Sequence, residues 1–390
     1  MKFFNKLFGN KPDLKCQDES GIDSAQLHRD DIVTNEKKEE VKYNKLNNIL
    51  KEYIKWSKEP CREDESLDIL KIFGNDEFQE LYVYVKENSN NDNVLHTLKG
   101  LGISLNEMDI SKACATAHYC GMLIEHSNIL DIGDNLVDLF EKVVNLSTEC
   151  LNRFENIENV DWADLLKSYP DEVKAYHGAE MLTIAVMAVI TRSHGSRYYL
   201  RKKKLYEKLE LLKPYIKSMV YVPIVHDACY DFKVLVLNPN TKKGFWMKVF
   251  DVHNCFYLMT LLEIELYKKG WLTDYEIKDY TFSQEIYDTA IGAYYPKRSY
   301  DIVGHASYQN YQAINDKENN WTIRHMIFGE MPPEYIPKYK GFPVIIIKED
   351  PLKGRRSWDS YFIFKCHQAL SPRIEILECL TDQEVEEWLS

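Results

Sequence analysis

Residues 213–255 read KPYIKSMVYVPIVHDACYDFKVLVLNPNTKKGFWMKVFDVHNC, and the change of pattern inside this stretch decides the fold. Before it, apolar residues such as Leu46, Ile49, Leu50, Tyr53 and Ile54 recur at three and four positions, the period of a helix with one buried face. After Pro214, alternation and β-branched runs take over at Val220–Val225, Lys233–Leu237 and Phe245–Phe250, and again at Val344–Ile347, Tyr361–Phe364 and Arg373–Leu377. Asn238-Pro-Asn-Thr-Lys-Lys-Gly244 joins two of these runs and has the composition of a hairpin loop. Phe256–Lys269 returns to helical spacing, which Gly270 ends. The expected fold is therefore α+β, with an N-terminal all-helical region followed by a mixed α/β domain built on a largely antiparallel sheet.

Working outward, the spacing predicts helices over 44–58, 66–73, 76–87, 108–130, 133–153, 161–167, 171–192 and 198–216. Breaks fall at Pro60, at Asn88–Asn93 and at Pro170, where Ser168-Tyr-Pro-Asp-Glu172 has the proline and acids of a helix start. Thr381-Asp-Gln-Glu384 has capping-box spacing and opens a short last helix holding Trp388 and Leu389. Residues 1–43 mix charge signs and carry few large apolar groups after Phe8, so they read as a mobile arm. Within the arm, Phe3, Phe4, Leu7 and Phe8 share one side of a helix flanked by lysines, which would let residues 1–9 dock on a membrane or a partner. The divisions expected are an arm at 1–43, a helical domain at 44–216 and an α+β domain at 217–390.

With 49 Lys and Arg against 61 Asp and Glu, the 390-residue chain has a net charge of -12, the wrong sign for gripping phosphates. A nucleic-acid function is disfavoured. No phosphate loop, nucleophile elbow or zinc ribbon is present, and no cofactor is expected. The nine cysteines are scattered and contain no C-x-x-C pair, as free thiols in a reducing cytoplasm would be. The N-terminus lacks the apolar core of a secretory signal, and the most apolar run, Ala179–Ile190, is too short to span a bilayer and reads as a core element.

The densest reactive set flanks the hairpin: His226, Asp227, Cys229 and Asp231 before it, Asp251, His253 and Cys255 after it. A loop centred near Thr241 would set Asp231 opposite Asp251, Cys229 opposite His253 and Asp227 opposite Cys255, all on one face. Carboxylate, imidazole and thiolate so gathered suit a metal or cysteine-dependent hydrolase, with His226, Asp227, Cys229, Asp231, Asp251 and His253 as candidate catalytic groups. Ser193-His194-Gly195 and Asp227-Ala-Cys229 resemble the His-Gly and Asp-x-Cys strand ends of caspase-like cysteine proteases, a match over some 40 residues. That resemblance implies a His194–Cys229 pair, yet the family's helix after the cysteine is replaced here by a predicted strand.

Two smaller sets, His177 with Glu180 and Cys114 with His118, Cys120 and His126, sit at helical spacing and read as core. Between Thr191 and Val220, nine bases oppose two acids, and Arg197, Arg201, Lys202, Lys203 and Lys204 form a candidate docking patch. Residues 374–390 hold six acids and no base, a surface suited to a basic partner. Acidity, the lack of an enzyme signature and 26 tyrosines favour a cytoplasmic protein-binding factor, of a bacterial accessory or toxin-neutralising kind.

Overall fold

The computed structural model describes residues 28–154, 157–278, 280–293, 311–314, 324–348 and 369–390. The chain divides into two units, Met1–Asn48 and Ile49–Ser390. Helix α1 (His28–Lys58), which the boundary between them divides, begins fifteen residues before the expected end of the arm, so 28–43 are helical. Glu and Lys are good helix formers whether or not they bury anything, which polarity alone does not reveal. Residues 1–9 lie outside the described residues.

In the second unit the helical region continues as α2 (Glu63–Leu67), a 3₁₀ turn at Ile69–Gly74, α3 (Asp76–Glu87), α4 (Asn91–Ser104), α5 (Ile110–Ser127) and α6 (Gly133–Leu151). There follow α7 (Trp162–Ser168), α8 (Pro170–Ile190), α9 (His194–Lys202), α10 (Tyr206–Leu212) and α11 (Tyr221–Asp227). Its centre is α8, which packs on α5 and α6 and is the one described helix apolar and long enough to cross a bilayer, most of it buried inside the protein. Small residues let α5 and α8 touch. A Cβ on Gly121 would stand 2.7 Å from the Ala185 Cα, and one on Gly178 would stand 2.6 Å from the Cys114 sulfur.

Two departures from the sequence reading matter. α4 lies where the spacing predicts no helix, and its first turn falls inside the expected break at Asn88–Asn93; Asn90 caps it through the Asn93 N–H, and a Cβ on Gly102 would fall 2.4 Å from Ile132. The run Val220–Val225, expected as strand, ends a 3₁₀ turn and forms most of α11. Val222 and Val225 stand three apart and are both buried, and Pro223 sits in the first turn, where its missing N–H costs nothing. Helix thus reaches Asp227 rather than 216.

The sheet then starts with β1 (Phe232–Asn238) and β2 (Lys243–Phe250), and α12 (Cys255–Lys269) ends at Gly270 with φ 72°. α13 (Gln284–Ala290), β3 (Tyr311–Ile314), β4 (Arg324–Met326), β5 (Lys338–Tyr339), β6 (Phe342–Ile347), β7 (Arg373–Cys379) and α14 (Asp382–Leu389) complete it. Strand order is β4-β3-β6-β1-β2-β7, with β5 turned back onto β6. Only β1 and β6 pair in parallel among the described strands, so the fold is α+β with a largely antiparallel sheet. Tyr361–Phe364 lies outside the described residues.

Alternation sorts the strands. Val234, Val236, Phe245, Met247, Val249 and Ile345 join the α12 side chains on one face. Leu235, Leu237, Trp246, Val344 and Ile346 meet Val385 of α14 on the other. The Thr381–Glu384 capping box is present, with the Thr381 N–H donating to the Glu384 carboxylate at 2.7 Å.

Candidate functional site

The hairpin settles where the reactive side chains go. Asn238 turns the loop by accepting from the N–H groups of Asn240 (2.8 Å) and Thr241 (3.1 Å), which centres it between those two residues. Every pair is therefore one position out from the expected register: Phe232 faces Val249 and Lys233 faces Lys248. Beyond the ladder, the Cys229 N–H donates to the Val252 carbonyl (3.0 Å) and the Asp251 N–H to the Cys229 carbonyl (2.7 Å). Cys229 is thus bonded across to Val252 and Asp251, not set opposite His253, and a one-residue slip of this kind exchanges the two faces.

Asp231 and Asp251 both adopt left-handed backbone, φ 52° and 56°, but part company. Asp231 is exposed and pairs with Lys248 at 2.5 Å. Asp251 is buried; one carboxylate oxygen accepts from Arg197 (3.0 Å) and the other from the Ser371 N–H (3.0 Å).

Arg197 comes from α9, which Ser193 caps by accepting from the Ser196 N–H. Only 2% exposed, it also donates to the carbonyls of Ile190 (2.9 Å) and Ala228 (3.1 Å). One turn on, Arg201 donates to the carbonyls of His226 (2.6 Å) and Ala228 (3.0 Å) and grips both oxygens of Glu334 at 2.8 and 3.0 Å. Two guanidinium groups therefore close the C-terminal end of α11, where carbonyls lack helical partners and the dipole favours cations. The rest of the basic run is used locally too. Lys203 bridges Asp138 (2.7 Å) and Glu141 (2.8 Å), bonds that raise its pKa, while exposed Lys202 lies over the Tyr198 ring and exposed Lys204 ends α9 with φ 53°.

The remaining candidates are separated. His226 bonds the Asp227 carboxylate at 2.9 Å. Burial, then the charge of Glu334, pushes the Cys229 thiol up to about 12, so it is protonated near neutrality and a poor nucleophile. Burial and the neighbouring Cys229 raise Cys255 as well. His253 is pushed down to about 4 by burial, with Asp227 opposing, and its Nε2 accepts from the Asn254 amide at 3.2 Å. His194 opens α9 as a helix residue, stacked on Tyr230, and residues 100–200 contain no strand among those described, so the caspase-like arrangement is not formed.

His177 packs edge-on to Trp162 while Glu180 accepts from the Ser218 N–H, and Cys114 and Cys120 are buried in α5. Among the described residues, no three His, Cys, Asp or Glu side chains stand close enough to share an ion.

What sequence reasoning missed are Glu334 and Ser371, which complete the joint from distant chain, and a second cluster at the sheet's other end. There Trp246, Phe342 and Trp388 meet edge-on, with ring centres 5.0 to 6.2 Å apart. The two tryptophans flank a cleft of about 340 Å³ lined also by Lys340, Glu378, Glu384 and Glu387. The available signal was the acid run of 374–390, without its aromatic walls. No protein-family model matches the chain, and no curated protein or solved structure does either.

Proposed function

We propose that the chain works by binding another protein, as a cytoplasmic accessory or toxin-neutralising factor, and that the tyrosines beside the α10–α11 joint form its contact surface. The observation that carries this reading is the pair Tyr206 and Tyr335, which are 48% and 68% exposed and near enough to interact. Burial raises the Tyr206 phenol, and after it the charges of Glu210 and Asp227 and the nearby Tyr335. The His226 ring lies 6.3 Å from that of Tyr206, and the Arg201–Glu334 bond holds the Tyr335 turn against α9. Rigid, half-wet phenol rings on a braced support supply contact area at small entropic cost, which is why tyrosine concentrates at interfaces.

The rival hydrolase reading needs a reactive group at the hairpin, and the protonation of Cys229 and its register against Val252 weigh against it. Capture from extracts of the protein's own cells tests the choice. A Tyr206→Ser, Tyr335→Ser variant should fold normally and lose a partner that the wild type retains. Identical capture by both proteins would defeat the reading, and turnover abolished by Cys229→Ala would reinstate the hydrolase.

A further inference from the structure

We infer that the cleft between the sheet and α14 is a receptor for a positively charged side chain, arginine above all, presented by a basic segment of a partner protein. The inference rests on the reading of the chain as a binding protein, but it concerns a different surface and can fail independently.

Three features converge on one place. The first is aromatic: Trp246 and Trp388 stand 5.7 Å apart at 77°, and Phe342 packs edge-on against both from outside the lining. Such rings present electron-rich faces and attract cations. The protein already uses them so, because the Lys233 ammonium sits 4.0 Å from the Trp246 centre and Lys340 sits 5.7 Å from that of Trp388.

The second feature is charge. Three carboxylates, Glu378, Glu384 and Glu387, line the cleft against the single ammonium of Lys340. The Lys340 Nζ donates to the Glu387 carbonyl at 2.8 Å, at the C-terminal end of α14, which fixes its charge at the rim, where it offsets one of the three. Glu384 is partly engaged in the capping box, which lowers its pKa and keeps it ionised. Glu378 makes no ion pair with the described residues, and the Glu387 carboxylate accepts only from the neutral Gln383 amide among them (3.0 Å). The described lining residues therefore carry three negative charges against one positive, a net charge of -2.

The third is construction. The cleft is not a gap between loops, since Gly244 lets α14 settle on β2: a Cβ there would fall 2.6 Å from Leu237 and 3.1 Å from Val385. Val385 is fully buried beneath the helix, and the capping box fixes where it starts. A guanidinium suits this setting better than an ammonium, because it is planar, weakly hydrated, stacks on rings and donates to two carboxylates at once.

The test uses the full chain and an acetylated, amidated tetra-arginine peptide at low salt. Its readouts are the indole N–H resonances of Trp246 and Trp388 and the alkylation rate of Cys379, an exposed thiol on the cleft wall. The peptide should shift both indoles saturably and protect Cys379, and Glu378→Gln with Glu387→Gln should weaken binding by roughly tenfold. Both glutamates are exposed, so this variant folds as the wild type does. A matched variant, Glu80→Gln with Glu87→Gln on α3, should leave the affinity unchanged.

Failure to move either indole would overturn the inference. So would equal weakening by the two variants, which would reduce the effect to general attraction by an acidic protein. Because no natural partner enters this measurement, loss of capture by the tyrosine variant bears only on the α10–α11 surface.

Discussion

The joint around Arg197 and the cleft beside α14 use the same ingredients, cations, carboxylates and rings, to opposite ends. In the joint, Arg197 and Asp251 are turned inward, and the bonds they make are to backbone and to each other. In the cleft, Glu378 and Glu387 face water and Trp388 stays partly open, while Trp246 forms the buried floor. A buried charge must be satisfied by its own protein, since desolvation would otherwise cost several kcal/mol. An exposed charge lies under no such constraint, and its field remains available to another molecule. Reactive residue types clustered in sequence are therefore a poor guide to a site until their burial is known.

The comparison breaks most readily at Arg197. Arg197→Met should destabilise the fold by about 3–5 kcal/mol, because Asp251 would be left buried without its counter-charge. Urea unfolding checks this, and a loss below about 1 kcal/mol would show that water reaches Asp251 and that the joint is as open as the cleft.

A second test is pH. His253 titrates near 4 in the folded protein against about 6.5 when unfolded, so its folded pKa is depressed. Above 6.5 both states are neutral and the group is silent. As pH falls from 6.5 towards 4 the unfolded chain gains a proton that the folded one refuses, so stability declines, by up to about 3 kcal/mol. His253→Gln should flatten the stability profile in that window, and an unchanged slope would place the ring in water.

The third change is smaller. Cys229→Ala should cost about 1–2 kcal/mol, since it leaves a small void beside Val252 in a fully buried position. Its melting temperature should fall while binding through the tyrosine surface persists.

How much of this was legible follows from what each signal depends on. The α+β order could be read because Val234 to Leu237 and Phe245 to Phe250, the second interrupted only by Lys248, are apolar runs on either side of a turn-rich loop. Val220–Val225 misled, since β-branched residues weigh towards strand, while helix packing at Val222 and Val225 overrode that preference. The hairpin was legible but its register was not: the side chain of Asn238 moves the loop centre by half a residue, and every pairing shifts by one. The candidate acids and the basic run were each singled out, yet their mutual neutralisation was hidden. Arg197 and Asp251 are 54 residues apart, and Ser371 is 120 residues from Asp251. The cleft needs Trp246, Lys340 and Trp388 together, and no local pattern connects three distant segments.

The smallest expected effect on stability sharpens the comparison most. Glu378→Gln with Glu387→Gln should change the free energy of unfolding by no more than about 0.5 kcal/mol, because exposed substitutions away from caps and buried pairs rarely do more. Glutamine keeps the stem that lies along the helix and the oxygen that accepts from Gln383, so only charge is removed. Removing it relieves repulsion among the six acids of 374–390, which tips the change towards slight stabilisation at low salt. Adding salt screens the same repulsion, so wild type and variant should converge as ionic strength rises. Urea midpoints at about 0.01 M and 1 M salt read both effects, these being the ionic strengths at which screening lengths are roughly 30 and 3 Å. A loss above about 1 kcal/mol at either salt would mean that these carboxylates are held by the fold as Asp251 is, and the distinction between an inward joint and an outward cleft would collapse.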